Sequence, residues 1–169
     1  MSSFDPSDAP PTPQERRAVR RPGADVIYRV RRASSASPAA PVVFLHGLAS
    51  NMTRWAELTR ETTLGEHHDL IRVDLRGHGE SMTRRRFDLS VWSDDLAQLL
   101  TDEHATRAYL VGHSLGATLA MAFAAARPDR VAGLVLIDPV FREALVPGKA
   151  HYARNGPLFA RAATLIRAL

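Results

Sequence analysis

The sequence predicts an α/β fold, a mostly parallel β-sheet with flanking helices. Short, continuous apolar runs recur along the chain, which is typical of parallel strands covered on both faces. Segments with apolar residues at helical spacing separate these runs. Regular alternation of the two patterns is the signature of strands joined by crossover helices. The alternation ends after Asp138-Pro139.

Composition is that of an ordinary globular protein and excludes several classes of site. The chain has 169 residues, of which 45% are apolar and 24% charged, a length that predicts one domain with a sizeable core. It contains no cysteine, which excludes disulfides, thiolate catalysis and cysteine-based zinc sites. No set of histidines and carboxylates has the spacing of a zinc site, so we predict no metal and no cofactor.

Charge and hydropathy bear on partners and location. The net charge of +4 comes from arginines that are scattered along the chain, so we predict no nucleic-acid partner. The longest apolar stretch, Leu115–Ala126, is shorter than the roughly 18 residues that span a membrane, so we predict no membrane partner. The N-terminal residues lack the apolar core of a signal peptide, which favours a cytoplasmic protein.

Three regions follow from local composition. Residues 1–23 are rich in Pro, Ser, Asp and Arg and are predicted to be a disordered tail. Residues 24–141 carry the alternating pattern of the core. Residues 142–169 contain loop-forming glycines and one helical apolar stripe, and we interpret them as the start of a lid or cap region.

Within residues 24–141 the elements follow one another in a clear order. Asp25–Arg31 alternates apolar and polar residues, as expected of a half-exposed edge strand, and a Ser/Ala/Pro linker follows at 33–40. Buried strands are predicted at Val42–Leu45, Leu70–Val73, Ala108–Val111 and Val131–Ile137. Helices are predicted at Met52–Leu64, Asp88–Glu103 (with Asp88 or Ser90 as N-cap) and Leu115–Arg127.

The strongest chemical signal is Gly112-His113-Ser114-Leu115-Gly116. It directly follows a predicted strand and opens a predicted helix, which is the context that a G-x-S-x-G nucleophile elbow requires. A sharp strand-to-helix turn forces its central residue into a strained conformation, and the flanking glycines let the turn close. The Ser114 hydroxyl is then exposed above the sheet, near the positive end of the helix.

A second motif, Val43-Phe44-Leu45-His46-Gly47-Leu48, precedes the elbow. Together the two motifs resemble the α/β-hydrolase superfamily, in its serine-nucleophile branch. The resemblance implies that the His-Gly turn supplies one oxyanion donor, the backbone N–H of Leu48. It implies that the N–H of Leu115, directly after the nucleophile, supplies the other.

A third motif, the loop from Asp74 to Ser81, resembles the D-x-R-G-x-G-x-S segment of the same family. In the family this loop shapes the wall of the site, and we interpret it as structural. The three motifs cover residues 42–138, which correspond to the N-terminal part of the family fold. The resemblance therefore implies a sheet truncated before the last strands.

A serine hydrolase also needs a base and an acid to orient it. The resemblance implies the chain order Ser, acid, His. After Ser114 the carboxylates are Asp129, Asp138 and Glu143, and the only histidine is His151. Asp138 ends a predicted strand and is the candidate triad acid, although a turn cap before Pro139 is the favoured interpretation. His151 is favoured as a solvated lid residue, which leaves the triad histidine beyond the given sequence.

These observations predict a serine hydrolase that cleaves an ester, a thioester or a related carbonyl in a small-molecule substrate through an acyl-enzyme on Ser114. One alternative is a non-catalytic fragment or half-domain that needs a partner chain, with a complementing C-terminal segment. The other is a cofactor-free haloperoxidase or a carbon–carbon bond hydrolase on the same fold. Serine at the elbow argues against the family branches that use a carboxylate nucleophile.

Overall fold

The computed structural model describes residues 13–36 and 38–139. Its strands are β1 (Gln14–Val19), β2 (Val26–Arg31), β3 (Ala39–Leu45), β4 (His68–Val73), β5 (Ala108–His113) and β6 (Val131–Ile137). Its α-helices are α1 (Ala56–Glu61), α2 (Leu89–Asp102) and α3 (Leu115–Ala126). Short 3-10 segments lie at Met52–Trp55, Thr63–Glu66 and Pro128–Arg130.

The six strands form one mixed sheet in the order β1-β2-β4-β3-β5-β6. β1 and β2 are antiparallel to each other, and β2 is antiparallel to β4. β3, β4, β5 and β6 are mutually parallel. The carboxyl ends of β3, β4 and β5 therefore meet at one edge of the sheet, and the three sequence motifs leave the sheet there. This confirms the predicted fold class and the positions of the four predicted parallel strands; β3, β4 and β5 are buried as predicted, whereas β6 is not.

Helices α2 and α3 bury their apolar sides with the sheet in the main core. The cluster contains Trp92, Leu96 and Leu99 from α2 and Leu119 and Phe123 from α3, all at most 3% exposed. The predicted N-cap of α2 is also confirmed, since the Val91 N–H donates to Asp88 Oδ1 at 3.0 Å. The region predicted as a helix at Met52–Leu64 is instead split into a 3-10 turn, α1 and a second 3-10 turn.

Two predictions at the N-terminal side are wrong. The disordered tail predicted over residues 1–23 gives way, in its described part, to β1, which pairs along its length with β2. As a result β2 is not the half-exposed edge strand that its alternation predicted, because it is flanked by β1 and β4. Composition predicted disorder here because β1 has few apolar residues. An edge strand needs little apolar surface, however, and charged side chains on such a strand oppose intermolecular pairing.

β1 has one buried apolar residue, Val19, and its charged side chains make ion pairs. Arg16 contacts Glu80 at 2.7 Å, and Arg17 contacts Glu103 at 3.3 Å. The carboxylate of Glu103 also accepts a hydrogen bond from the Tyr28 hydroxyl at 2.6 Å. Burial, followed by this contact, raises the pKa of Tyr28 well above its usual range.

The opposite side of the sheet ends, within the described residues, at β6. Its last four residues, Leu134 to Ile137, are 36–53% exposed although all four are apolar. The bounds of the strand predicted at Val131–Ile137 are therefore confirmed, but its predicted burial is not, because no strand covers its outer edge within the described residues. The region predicted as the start of a lid, 142–169, and with it His151, lies outside the described residues.

Candidate active site

Ser114 occupies the turn between β5 and α3. Its backbone angles are φ 52° and ψ −114°, outside the regions that a residue with a Cβ normally adopts. Such a conformation is strained by roughly 1–3 kcal/mol and persists only where the surrounding structure enforces it. Here the turn has no spare residue, because β5 ends at His113 and α3 begins at Leu115.

Close packing explains the glycines on both sides of Ser114. A Cβ on Gly112 would lie 2.4 Å from the carbonyl oxygen of Gly116. A Cβ on Gly116 would lie 2.3 Å from the carbonyl oxygen of Leu45, at the end of β3. Real Cβ atoms do not approach backbone so closely, so the elbow requires glycine at both positions. The start of α3 therefore lies in direct contact with the end of β3, which precedes the His-Gly turn.

The loop after β3 lies directly against the elbow. A Cβ on Gly47 would be 3.0 Å from His113 Nδ1 and 3.4 Å from Ser114 Cβ, so glycine keeps the space beside the serine open. Leu48 follows, and within residues 13–36 and 38–139 no backbone carbonyl accepts its N–H. The N–H of Leu115 belongs to the first turn of α3, where the helix itself offers no acceptor. The structure thus brings Leu48, Leu115 and Ser114 to one edge of the sheet.

Asp138 reaches the same edge through β6. The Ser114 N–H donates to the carbonyl oxygen of Ile137 at 2.9 Å, so the residue after it is adjacent to the elbow. Asp138 has a positive φ of 50°. Burial and then the charge of Arg54 lower the pKa of His113, while Asp138 opposes that shift. Both proposed roles of Asp138, triad acid and turn cap, stay predictions.

His46 is fully buried at the end of β3 and links two loops. Its Nδ1 lies 2.7 Å from the Gly47 carbonyl oxygen, and its Nε2 accepts the Leu75 N–H at 3.0 Å. Because a carbonyl only accepts, Nδ1 carries the proton and the ring is neutral. Burial lowers the pKa of His46 to about 4, against the smaller opposing effect of the Gly47 hydrogen bond.

The loop from Asp74 to Ser81 has a structural role at each motif position. Buried Asp74 accepts the Met52 N–H at 2.7 Å and the Glu80 N–H at 2.8 Å, which ties the loop after β3 to this one. Gly77 and Gly79 have φ of 85° and 49°. Ser81 Oγ accepts the Ile27 N–H at 2.8 Å.

Sequence reasoning missed one residue of this loop. His78 Nε2 lies 2.6 Å from the carbonyl oxygen of Leu48, the residue whose N–H the resemblance predicts as an oxyanion donor. The rings of His46 and His78 are in edge contact at 5.0 Å between centroids. The only signal for His78 in the sequence is a histidine at a variable position of the D-x-R-G-x-G-x-S segment. Because the whole loop is interpreted as structural, that signal does not point to the site.

Similarity to known proteins agrees with this geometry. Residues 40–168 match a family model described as the alpha/beta hydrolase fold. The chain belongs to the α/β-hydrolase family. Among curated proteins, esterase YbfF of Escherichia coli is 30% identical over 78% of this chain. Lipase LipV of Mycobacterium tuberculosis is 36% identical over 68%.

Solved structures show the α/β-hydrolase fold as well. Epoxide hydrolase CorEH superposes with a TM-score of 0.66 at 25% identity, over 76% of this chain and 43% of that one. A marine microorganism esterase gives 0.59 at 27% identity, over 66% and 40%. The chain spans 49% of YbfF and 42% of LipV, so it corresponds to about half or less of these α/β-hydrolases.

Two further features of this α/β-hydrolase chain bear on partners. Within residues 13–36 and 38–139, no three His, Asp or Glu side chains are grouped so as to bind a metal ion. In the same residues, no helix has the length and apolar character that crossing a bilayer requires. The neighbouring His68 and Asp69 have structural partners: His68 Nδ1 lies 2.7 Å from Ala40 O, and Asp69 accepts from Arg32 at 2.6 Å.

Proposed function

We propose that the protein is a serine hydrolase that cleaves an ester, a thioester or a related carbonyl compound through an acyl-enzyme on Ser114. The observation that carries the proposal is the strained backbone of Ser114 at the start of α3. Strain of this kind at the tip of a turn is found where function needs a side chain in a fixed position. The names of the relatives YbfF and LipV, an esterase and a lipase, agree with this chemistry.

In this mechanism Ser114 Oγ attacks the substrate carbonyl carbon and loses its proton to an imidazole base. The carbonyl oxygen becomes an oxyanion, which the N–H groups of Leu48 and Leu115 stabilise. The leaving group departs with the proton from the imidazole, and water then hydrolyses the acyl-enzyme by the same steps. Each oxyanion donor contributes roughly 3–4 kcal/mol to the stabilisation of such transition states.

The mechanism also needs an acid and a base to complete the triad. Asp138 is the candidate acid, since the hydrogen bond from Ser114 to Ile137 places it beside the elbow. The base is a histidine that follows the acid along the chain or lies in a complementing segment. His151 is the only histidine after Ser114 in this sequence. The substrate is a small molecule in the cytoplasm, and the site needs no cofactor.

Serine at the elbow separates this chain from the carboxylate-nucleophile chemistry of epoxide hydrolases on the same fold. A carboxylate nucleophile attacks an epoxide carbon and forms an ester with the enzyme. Serine instead suits attack on a carbonyl, with the two backbone N–H groups as oxyanion donors. The likeness to CorEH therefore supports the fold and not the epoxide substrate.

Covalent labelling tests the proposal. The full-length protein is treated with a fluorophosphonate probe and analysed by intact mass and peptide mapping. We expect stoichiometric modification of Ser114, none in Ser114→Ala, and unchanged labelling in Ser34→Ala, an exposed serine far along the chain. Hydrolysis of p-nitrophenyl esters should be lost in parallel. If folded protein shows neither labelling nor hydrolysis, the non-catalytic half-domain is the correct interpretation.

A further inference from the structure

We propose that His78 is a positioning residue for the oxyanion donor at Leu48. The inference rests on the proposed serine hydrolase chemistry and concerns the same site. His78 Nε2 is 2.6 Å from the Leu48 carbonyl oxygen. Because that oxygen can only accept, Nε2 must be protonated and donate. The hydrogen bond joins the loop after β4 to the loop after β3 at the residue whose N–H is the proposed oxyanion donor.

The peptide unit that contains the donor is held from its other side. The N–H of Leu48 and the carbonyl of Gly47 belong to one planar trans peptide, so they point in opposite directions. His46 Nδ1 donates to that Gly47 carbonyl at 2.7 Å. His46 therefore sets the plane of the peptide, and His78 fixes the next carbonyl along the chain. Together they restrict the rotation of the two peptide units on either side of the Leu48 Cα.

The hydrogen bond from His46 also polarises the donor, and the hydrogen bond from His78 holds the peptide that follows it. A hydrogen bond to a peptide carbonyl strengthens the N–H of the same unit as a donor, because bonds in a chain polarise one another. Preorganised donors are effective in catalysis because they need no reorganisation as charge develops. A flexible loop after a glycine would lose that advantage, since Gly47 itself restricts the backbone very little.

The ring of His78 lies beside side chains that are themselves held in place. Its ring lies 6.2 Å from the ring of Trp92, centroid to centroid, and Trp92 Nε1 donates to the carbonyl oxygen of Arg76 at 2.9 Å. The Arg76 side chain is in turn paired with Asp95 of α2. The imidazole thus links α2 to the loop after β3, which carries the proposed oxyanion donor. It contacts no reacting atom itself.

The test compares substitutions that keep or remove the donor. Gln can place an amide N–H near the position of Nε2, whereas Asn is polar but too short and Leu has no donor. In the full-length protein, we expect His78→Leu and His78→Asn to lower kcat for p-nitrophenyl acetate by about tenfold to a hundredfold, with KM nearly unchanged, since a misplaced group affects the transition state most. His78→Gln should recover most of kcat.

Two comparisons make the test decisive. His67→Leu, the same substitution at an exposed histidine, should leave kcat at the wild-type value. Equal kcat in wild type and in both His78→Leu and His78→Asn would overturn the inference. So would equal impairment of His78→Asn and His78→Gln, which would indicate a purely structural role. Failure of the serine hydrolase proposal is recognised separately, because the wild-type protein itself would then show no hydrolysis and no labelling of Ser114.

Discussion

Arg76 and Asp95 form a bidentate ion pair between the loop after β4 and α2. Arg76 Nε and Nη2 each donate to the Asp95 carboxylate at 2.8 Å, and both side chains are only 5% exposed. The contact with Asp95 is the main reason why the pKa of Arg76 is raised above its usual value. The pair ties the loop after β4 to α2, so the stability of the helix and the geometry of the site depend on each other.

Asp95→Asn should destabilise the fold by about 3 kcal/mol, because it leaves the buried Arg76 charge without a counterion. Asp94→Asn is the matched control on the same helix. Asp94 pairs with Arg127 at 2.6 Å but is 51% exposed, and exposed pairs of this kind contribute about 0–1 kcal/mol. Urea unfolding followed by circular dichroism gives both values. Similar small losses in the two variants would contradict a stabilising role for the buried pair.

Stability should fall as pH decreases through the range set by His46. Burial lowers the pKa of His46 to about 4 from the usual 6.5, so the unfolded chain binds a proton more readily than the folded one. The contribution is complete above about pH 6.5 and is lost as pH falls towards 4, with a total of about 3 kcal/mol.

The measurement is the free energy of unfolding between pH 7 and pH 4 for wild type and His46→Gln. The variant should show a shallower dependence on pH, because Gln has no proton to gain. His67→Gln, at an exposed histidine, should keep the wild-type slope. Parallel curves for wild type and His46→Gln would show that His46 is not the group responsible.

Gly116→Ala should destabilise the protein although alanine is the better helix former. Its Cβ would meet the Leu45 carbonyl oxygen at 2.3 Å, so α3 would have to move away from β3, at a cost of about 1–3 kcal/mol. Ala125→Gly, at an exposed position of the same helix, should lose only about 1 kcal/mol through helix propensity. A gain in thermal stability for Gly116→Ala would contradict the tight strand–helix contact.

Ser114→Gly should be more stable than Ser114→Ala by about 1 kcal/mol. Glycine adopts the positive φ of 52° without a Cβ clash, whereas alanine keeps the strain. Both variants should be unreactive towards the fluorophosphonate. Differential scanning calorimetry of the two proteins gives the comparison, and equal Tm values would show that the turn is not strained by its side chain.

Much of the fold could be predicted because hydrophobic periodicity is a local property. The strand at Val131–Ile137 was predicted with its observed bounds, and the Leu115–Ala126 helix to within one residue. β1 could not be predicted in this way. It pairs with β2 along its length, buries only Val19, and otherwise carries charged side chains that contact residues far along the chain, such as Arg16 with Glu80. Such contacts leave no periodic signal.

The candidate site likewise contains one residue that the sequence predicts, Ser114, and one that it does not, His78. A fixed motif revealed Ser114, because the turn geometry demands glycine at fixed neighbouring positions. The contact between His78 and Leu48 spans 30 residues and depends on the adjacency of β3 and β4 in the sheet. Chain order places β4 after β3 but does not say which loops meet above them, so a histidine in the second loop could not be linked to the first.

The strain at Ser114 also has an evolutionary consequence. A sequence released from selection for catalysis could gain stability by replacing this serine with glycine, because the turn itself favours glycine at that position. Drift in a decaying gene should therefore remove the serine early and leave the flanking glycines, which packing requires, in place. Orthologues with glycine at this position and an otherwise unchanged elbow would identify the lineages that have abandoned the chemistry.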